Sequence, residues 1–274
     1  MKIFISADME GATGITSVHQ VDSERPEYAF GCAMQLHDVL AAVQGAFDGG
    51  ADEVIVNDAH NHMTNLDIRS WPKGARLTSG SPKTLGMMEG FDECDGMFFL
   101  CYHAMAGTRN AVIDHTICPV TVYSVAVNGR EYGETAINAA AASARKIPLA
   151  LVTGDDACCR EVRSFFGDSV VTAEVKRARG RMAATSLPPE ESAEVIRAAA
   201  EKAARLIAAG KAPVMDFQRP WTVEIIFHMT AQCDAAATIP FVERLDGRRI
   251  RFAGDDPIEM RRWISALLDL AGTA

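Results

Sequence analysis

Carboxylate and imidazole side chains follow three short apolar segments near the start of the chain. Asp8 and Glu10 come after the first segment, His60 after the second and His103 after the third. If the chain stays extended past residue 7, the two-residue period of a strand places Asp8 and Glu10 on the same face. Carboxylates and imidazoles are the groups that bind zinc and similar divalent ions in proteins. The pattern therefore predicts a metal site.

The number of candidate ligands favours two ions over one. Asp58 and His62 flank His60, so more than four potential ligands lie at the three segment ends. A carboxylate can bridge two ions about 3.5–4 Å apart, which is the arrangement of dinuclear hydrolytic sites. Taken singly, Asp8 and Asp58 are also typical of turns or helix caps, and a lone histidine after a strand more often packs than binds metal. Their recurrence at three successive strand ends favours the metal site.

Two glycines follow the first pair of acids. Gly11 and Gly14 resemble half of a phosphate-binding loop, but their spacing is G-x-x-G and the lysine and hydroxyl residue of such a loop are absent. We interpret them as a sharp bend that directs both carboxylates at one centre.

Two further candidates come from later segments. Glu134 lies at the predicted start of a helix, where the helix dipole already favours an acid. His115 lies between polar residues in a predicted loop, and loops over a rigid sheet often carry acid–base residues. Asp155 and Asp156 also follow an apolar segment, but we interpret them as the cap and first turn of a helix.

The elements that must position these residues alternate between strands and helices. The predicted strands are 3–7, 53–57, 97–102, 121–127, 149–153 and 169–175, and the predicted helices are 28–49, 134–145 and 157–166. This order predicts an α/β fold with a largely parallel sheet covered by helices on both faces, in three αβα layers. Ligands of such sheets bind beyond the carboxyl ends of the strands, where the candidate residues lie.

The composition of the sequence and the order of its predicted elements change near residue 186. Pro188 and Pro189 open an alanine-rich helix, which is followed by the strand "WTVEIIFHM", a hairpin around Asp246 and Gly247, and a final helix at 256–270. We predict a catalytic metal-binding domain at 1–185 and a smaller α+β domain at 186–274 that contributes oligomer contacts.

The charge balance argues against a nucleic-acid partner. The 274 residues carry a formal net charge of −9, which repels a phosphate backbone. The basic run Lys176, Arg177, Arg179 and Arg181 has no interleaved aromatic residues, so we interpret it as a solvated loop or an interface.

The sequence also predicts a cytoplasmic protein without a membrane partner. The first apolar segment is too short for the apolar core of a signal peptide, and no run of eighteen apolar residues occurs. The seven cysteines are odd in number and lack C-x-x-C spacing, which favours reduced thiols.

Several motifs, in order along the first 156 residues, resemble one known family. They are "SADMEG" at 6–11, "VNDAHNHM" at 56–63, "CYHA" at 101–104, "DHT" at 114–116, "YGETAIN" at 132–138 and "GDD" at 154–156. The chain thereby resembles the dinuclear zinc D-aminopeptidases associated with bacterial dipeptide transport clusters.

The resemblance implies an enzyme with two zinc ions per chain. It would remove an N-terminal D-residue, typically D-alanine, from short peptides or amides, and it would form a ring-shaped homo-oligomer, a homodecamer. The residues carried over are the metal ligands Asp8 (bridging), Glu10, His60, His103 and Glu134, and the catalytic residue His115. Cys101 stands where the family pattern has glycine, and its thiol is expected to crowd the site or to offer a further metal ligand.

The expected mechanism is hydrolysis by a zinc-activated water, with His115 as an acid–base group. Direct attack by His115 is an open alternative, which the metal-generated hydroxide makes unnecessary. A dinuclear-metal phosphoesterase is a second hypothesis, but it would need basic residues near the site, and only Arg109 is close in the sequence. A non-catalytic dipeptide-transport accessory is a third, for which an export signal would be expected.

Overall fold

The chain forms twelve strands and six helices, and the computed structural model describes all residues from 1 to 274. The strands are β1 (Lys2–Ala7), β2 (Glu53–Asp58), β3 (Ala75–Thr78), β4 (Gly96–Tyr102), β5 (Val122–Val127), β6 (Arg130–Glu131), β7 (Leu149–Asp155), β8 (Val171–Gly180), β9 (Ala183–Ser186), β10 (Trp221–Phe227), β11 (Glu243–Arg244) and β12 (Arg249–Gly254). The helices are α1 (Tyr28–Asp48), α2 (Glu134–Ser143), α3 (Asp156–Phe166), α4 (Pro189–Ala208), α5 (Thr230–Ala236) and α6 (Pro257–Ala271). None of the helices combines the length and the apolar character needed to span a lipid bilayer.

Seven strands form the large sheet, in the order β3-β2-β1-β4-β7-β8-β9. All neighbours are parallel except β8 and β9, which form an antiparallel hairpin at the edge. Every residue of β4 and β7 is buried, as expected for strands covered on both faces. The predicted α/β fold with a largely parallel sheet is confirmed.

Helices α1 and α4 cover one face of the large sheet and pack closely on each other. The contact depends on a glycine within α1 and on the glycine that directly follows the helix. A Cβ atom added to Gly45 would lie 2.2 Å from the carbonyl oxygen of Arg197, and one added to Gly49 would lie 2.5 Å from the Cβ of Ala204. The glycines therefore allow the two helix backbones to approach each other.

A second sheet lies beyond the opposite face of the large sheet. Its order is β11-β12-β10-β5-β6, and all its strand pairs are antiparallel. Helix α2 packs between the two sheets and is buried from Glu134 to Ala142. One apolar cluster joins Phe99 of the large sheet, Ile137 of α2 and Val223 of the second sheet. The position of α2 thus depends on both sheets.

Strand β5 corrects the prediction that segment 121–127 belongs to the parallel sheet. It pairs with β10 and β6 in the second sheet. Its residues alternate between buried Val122, exposed Tyr123 and further buried valines. Such alternation is typical of an antiparallel strand with one solvated face, whereas the parallel strands are continuously apolar.

The predicted division at residue 185 separates elements that pack together. Helix α4, which follows that residue, packs on α1 against the large sheet. Strands β5 and β6, which precede it, belong to the second sheet. The division into a catalytic domain and a smaller domain stays a prediction, and both sheets draw elements from more than one part of the chain.

Candidate metal centre

The predicted ligands of the first three segments meet at one edge of the large sheet. Asp8 directly follows β1, His60 lies two residues beyond β2, and His103 directly follows β4. Strands β2, β1 and β4 are neighbours in the sheet, so their carboxyl ends lie side by side. The chain turns after Asp8, with the amide of Ala12 donating to the carbonyl of Met9, and Glu10 still reaches the same centre.

Asp8, Glu10 and His60 form one half of the centre. The Nδ1 atom of His60 lies 3.3 Å from Asp8 Oδ1 and 3.2 Å from Glu10 Oε2. The Nε2 atom of His60 lies 2.8 Å from the carbonyl oxygen of Val21. Because a carbonyl only accepts, Nε2 carries the hydrogen in the neutral ring, and the lone pair on Nδ1 faces the carboxylates.

Asp8, His103 and Glu134 form the other half. The Nε2 atom of His103 lies 3.4 Å from Asp8 Oδ2 and 3.2 Å from Oε1 of Glu134, the first residue of α2. The Nδ1–H of His103 donates to the carbonyl oxygen of Ala104 at 3.0 Å, which leaves the lone pair on Nε2. The two oxygens of Asp8 therefore face two different histidines.

His115 lies beside the second half. Its ring stacks on His103 with 3.8 Å between centroids and 14° between planes. Its Nδ1–H donates to the carbonyl oxygen of Ile113 at 2.8 Å, and its Nε2 lies 3.6 Å from Glu134 Oε1. Glu134 Oε1 also accepts from the amide of Ile117 at 2.7 Å. The unprotonated Nε2 of His115 therefore faces the centre.

The buried donor atoms suit a metal ion. Asp8 Oδ2, Glu10 Oε2 and His103 Nε2 are shielded from solvent and make no hydrogen bond. Leaving such atoms unsatisfied costs about 1–3 kcal/mol each, and more when they are charged. Two groups of three residues each bring their ligand atoms within 4.8 Å of one another. One group is Asp8, Glu10 and His103, and the other is His103, His115 and Glu134. Histidines that donate one N–H to a carbonyl and keep the other nitrogen free are typical metal ligands.

The charges of the centre are strongly coupled. Burial and the Glu10 carboxylate raise the pKa of Asp8 to about 7. Burial opposes ionisation of Glu134, but His103 outweighs it and lowers the pKa of Glu134 to about 2. Burial likewise opposes protonation of His60 and His103, but the facing carboxylates raise the pKa of both rings well above the ordinary value. Burial and His103 lower the pKa of His115. In the metal-free protein, protons therefore compete for the ligand positions.

We expect zinc binding to release protons and to weaken as the pH falls. His60, His103 and part of the Asp8 population hold protons near neutral pH in the metal-free protein, and zinc binds their unprotonated forms. The apparent affinity should therefore rise between about pH 6 and pH 8. Titration calorimetry in two buffers of different ionisation enthalpy measures the protons released. An affinity independent of pH would contradict the expectation.

Comparison with known proteins decides the family. The model of the peptidase M55 family, described as D-aminopeptidase, matches residues 1–266. The chain belongs to the M55 family of D-aminopeptidases. A D-aminopeptidase of Bacillus subtilis strain 168 is 31% identical over 275 residues, covering 99% of this chain and 98% of the relative.

A solved structure supports the same conclusion for the M55 fold. The Zn-dependent D-aminopeptidase DppA from Bacillus subtilis, described as a self-compartmentalizing protease, matches with a TM-score of 0.93 and 29% identity. The match covers 100% of this chain and 99% of that chain. The predicted family is confirmed, and the predicted link to transport clusters stays a prediction.

Three buried polar side chains hold the backbone of the M55 chain after β1, and sequence reasoning missed them in this role. Gln35 of α1 donates to the carbonyls of residues 7 and 8, and Asp38 of α1 accepts from the amide and hydroxyl of Thr13. Lys176 of β8 donates to three carbonyls of the same loop. The interpretation of the basic run as a solvated loop or an interface is therefore wrong for Lys176, which lies inside the protein on β8 and is 3% exposed.

The glycines after the first acids act in two ways. A Cβ atom on Gly11 would lie 2.0 Å from the carbonyl oxygen of Tyr102, so this residue allows the loop to approach β4. Gly14 has a φ of +77°, which favours glycine at that turn. The interpretation of these glycines as a bend agrees with the structure. Only Gly14 has the positive φ that favours glycine.

Cys101 departs from the expected role near the metals. Its φ is +60°, a conformation that glycine adopts most readily. Its thiol lies 3.9 Å from Oδ2 of Asp38, towards α1. The sulfur does not belong to either of the two clusters of candidate ligand atoms. It therefore neither crowds the centre nor adds a ligand to it.

Two other acids have structural roles, as their alternative interpretations predict. Asp58 accepts from the amides of Asn65 and Leu66 and so closes the loop after β2. Asp155 caps α3 by accepting from the amide of Cys158 and also accepts from the amide of Val112. His62 is exposed.

An open cleft of about 390 Å³ has His115 in its wall. His115 lines it together with Tyr123 and Glu131 of the second sheet and His228, which directly follows β10. Arg181 lines it as well and forms an ion pair with Asp114 at 3.2 Å. His115 is the one candidate site residue that the cleft and the centre share.

Proposed function

We propose that this D-aminopeptidase uses two zinc ions per chain to hydrolyse the N-terminal D-residue, such as D-alanine, of short peptides or amides. The observation that carries the proposal is the position of Asp8, whose two oxygens face His60 on one side and His103 on the other. The zinc dependence of the related DppA supports the identity of the metal.

The chain offers a separate set of ligands for each ion. Glu10, His60 and Asp8 Oδ1 would hold one, and His103, Glu134 and Asp8 Oδ2 would hold the other. When bound, such a pair of ions supplies Lewis acidity to the scissile carbonyl and lowers the pKa of water to about 7. The three carboxylates keep the centre anionic enough to retain two divalent ions.

His115 is suited to move a proton between the attacking water and the leaving amine. Because burial and His103 lower its pKa, the ring is neutral at neutral pH, and its Nδ1–H is committed to a carbonyl. Nε2 is therefore free to accept a proton and later to donate it. Its place in the cleft wall brings it beside a bound substrate.

The cleft suits a small peptide. Its volume lies near the lower end of the range of about 300–1,000 Å³ for small-molecule sites. Glu131 is exposed in its wall and makes no ion pair, so it offers a carboxylate for the free ammonium group of a substrate. These features favour short peptides with an unblocked N-terminus.

We also propose that the chain self-associates into a closed homo-oligomer. We expect this oligomer to be a homodecamer and to be located in the cytoplasm. The description of DppA as self-compartmentalizing supports this proposal. Large apolar side chains near the cleft, Val120, Tyr123 and Met229, are 72%, 58% and 51% exposed and offer an apolar contact surface.

The direct test is release of D-alanine from D-alanyl-D-alanine before and after removal of metal. We expect turnover by the zinc-loaded protein, loss of turnover after treatment with a chelator, and recovery on addition of zinc. L-alanyl-L-alanine tests the stereochemical preference, and a phosphate monoester tests the phosphoesterase alternative. Absence of turnover of every D-aminoacyl substrate by zinc-replete protein would refute the proposal.

A further inference from the structure

We propose that Lys176 is a positioning residue that fixes Glu10 for zinc through the main chain of the loop after β1. The inference rests on the proposed zinc function. The side chain enters from β8, and its Nζ donates to the carbonyl oxygens of Glu10, Ala12 and Ile15 at 2.6, 2.7 and 2.7 Å. One ammonium group thus holds three carbonyls of the loop that carries Glu10.

The contacts of Lys176 use the whole hydrogen-bonding capacity of its ammonium group. Lysine has three N–H donors, and all three acceptors are main-chain carbonyls. No carboxylate forms an ion pair with it, although burying a charge without a partner is costly. The arrangement therefore fixes a backbone conformation, and it leaves no donor free for a substrate.

Glu10 depends on this backbone because little else holds its side chain. Its Oε2 atom makes no hydrogen bond, and the one ion-pair contact of the carboxylate is with Nδ1 of His60 at 3.2 Å. Two further contacts hold the same loop, and one of them is made by the peptide group that Glu10 shares with Gly11. The amide of Gly11 donates to the carbonyl of Cys101 at 2.7 Å, and Asp38 binds Thr13. Lys176 supplies the hydrogen bond on the carbonyl side of that peptide group, and Gly11 supplies the one on its amide side.

Shortening the side chain of Lys176 is therefore expected to weaken zinc binding without abolishing it. In Lys176→Ala the carbonyls of Glu10, Ala12 and Ile15 lose the ammonium group as a donor, and the Glu10 carboxylate loses part of the support for its position. Partners that orient metal ligands are typically worth about 10- to 100-fold in metal affinity. We expect a loss of this size for the zinc ion that the Glu10 half would hold.

The test is zinc affinity of the full-length protein, measured by competition with a chelating indicator, with and without propylammonium chloride. Propylammonium replaces the atoms that Lys176→Ala removes. We expect it to restore most of the lost affinity. Neither n-propanol, which fills the same space without the charge, nor tetramethylammonium at the same ionic strength should do so. Arg177→Ala is the matched control, since Arg177 is exposed on the same strand.

Three outcomes would overturn the proposal, and a fourth would overturn the proposed function instead. Unchanged zinc affinity in Lys176→Ala overturns it, and equal rescue by n-propanol shows that the side chain only fills space. If Lys176→Ala does not fold, Lys176→Met keeps the apolar stem and carries the affinity measurement without the rescue, with the same expected loss. Failure of both variants to fold would make Lys176 a requirement of the whole fold and would also overturn the proposal. If the parent protein binds no zinc, the proposed function fails instead.

Discussion

Replacing Asp8 with asparagine is expected to remove both zinc ions and to lower kcat/KM for D-alanyl-D-alanine by about three orders of magnitude or more. The change keeps the shape of the side chain, but an amide nitrogen replaces one of the two oxygens that face His60 and His103. Lewis-acid stabilisation by a metal is worth several kcal/mol, and each 1.36 kcal/mol is about tenfold in rate. Elemental analysis and the D-alanine assay measure the two effects.

The contrast with Glu10 makes this prediction specific. Glu10 belongs to one half of the centre, so Glu10→Gln should lose one zinc ion and keep the other. Asp8→Asn should lose both. Two ions per chain in Asp8→Asn would contradict the assignment of Asp8 as the shared ligand.

Loss of zinc in Asp8→Asn should not reflect loss of the fold. Burial and Glu10 raise the pKa of Asp8 to about 7, so the charged carboxylate destabilises the metal-free folded state as the pH rises above the ordinary pKa of the group. Asparagine removes that charge. At about pH 8 the metal-free variant should therefore unfold at a urea concentration no lower than the metal-free parent.

Replacing His115 with alanine is expected to lower kcat by about 10²- to 10⁴-fold while both zinc ions stay bound. A general acid–base group contributes a factor of this size. His115 lines the cleft and lies 3.6 Å from Glu134, whereas the neighbouring His103 lies 3.2 Å from Glu134 and 3.4 Å from Asp8. His103→Ala is therefore the matched control, because it removes the ring stacked on His115 and should lose zinc.

The pH profile adds a second measurement of the role of His115. The neutral ring is the active form, so kcat of the parent should fall as the pH drops through the lowered pKa of His115. In His115→Ala that acidic limb should be absent. Loss of zinc from His115→Ala would identify it as a ligand, and an unchanged kcat would remove its proposed role in proton transfer.

The sequence was most informative where the chemistry depends on strand ends. Asp8, His60 and His103 could be grouped because parallel strands end at a common edge, and their strands are neighbours in the sheet. Glu134 and His115 depended on the family motifs. Nothing local indicates that α2 lies between two sheets and brings Glu134 to the same point.

Two predictions failed, one because burial is decided by distant partners and the other because strand order was given more weight than the local pattern. Lys176 lies in a basic run that is elsewhere exposed, and only the loop after β1, more than 160 residues away, makes it an internal residue. Strand β5 has an alternating pattern that indicates an antiparallel strand, and its order along the chain suggested a parallel one. The alternation was the better guide.

The two-sheet architecture separates the candidate metal centre from much of the wall of the neighbouring cleft. Asp8, His60 and His103 follow strands of the large sheet, whereas Tyr123, Glu131 and His228 of the cleft belong to, or directly follow, strands of the second sheet. Substitutions in β5, β6 and the end of β10 can therefore change which peptides are accepted and leave the ligands untouched. During evolution, members of the family with identical metal ligands are expected to diverge in substrate preference through this second sheet.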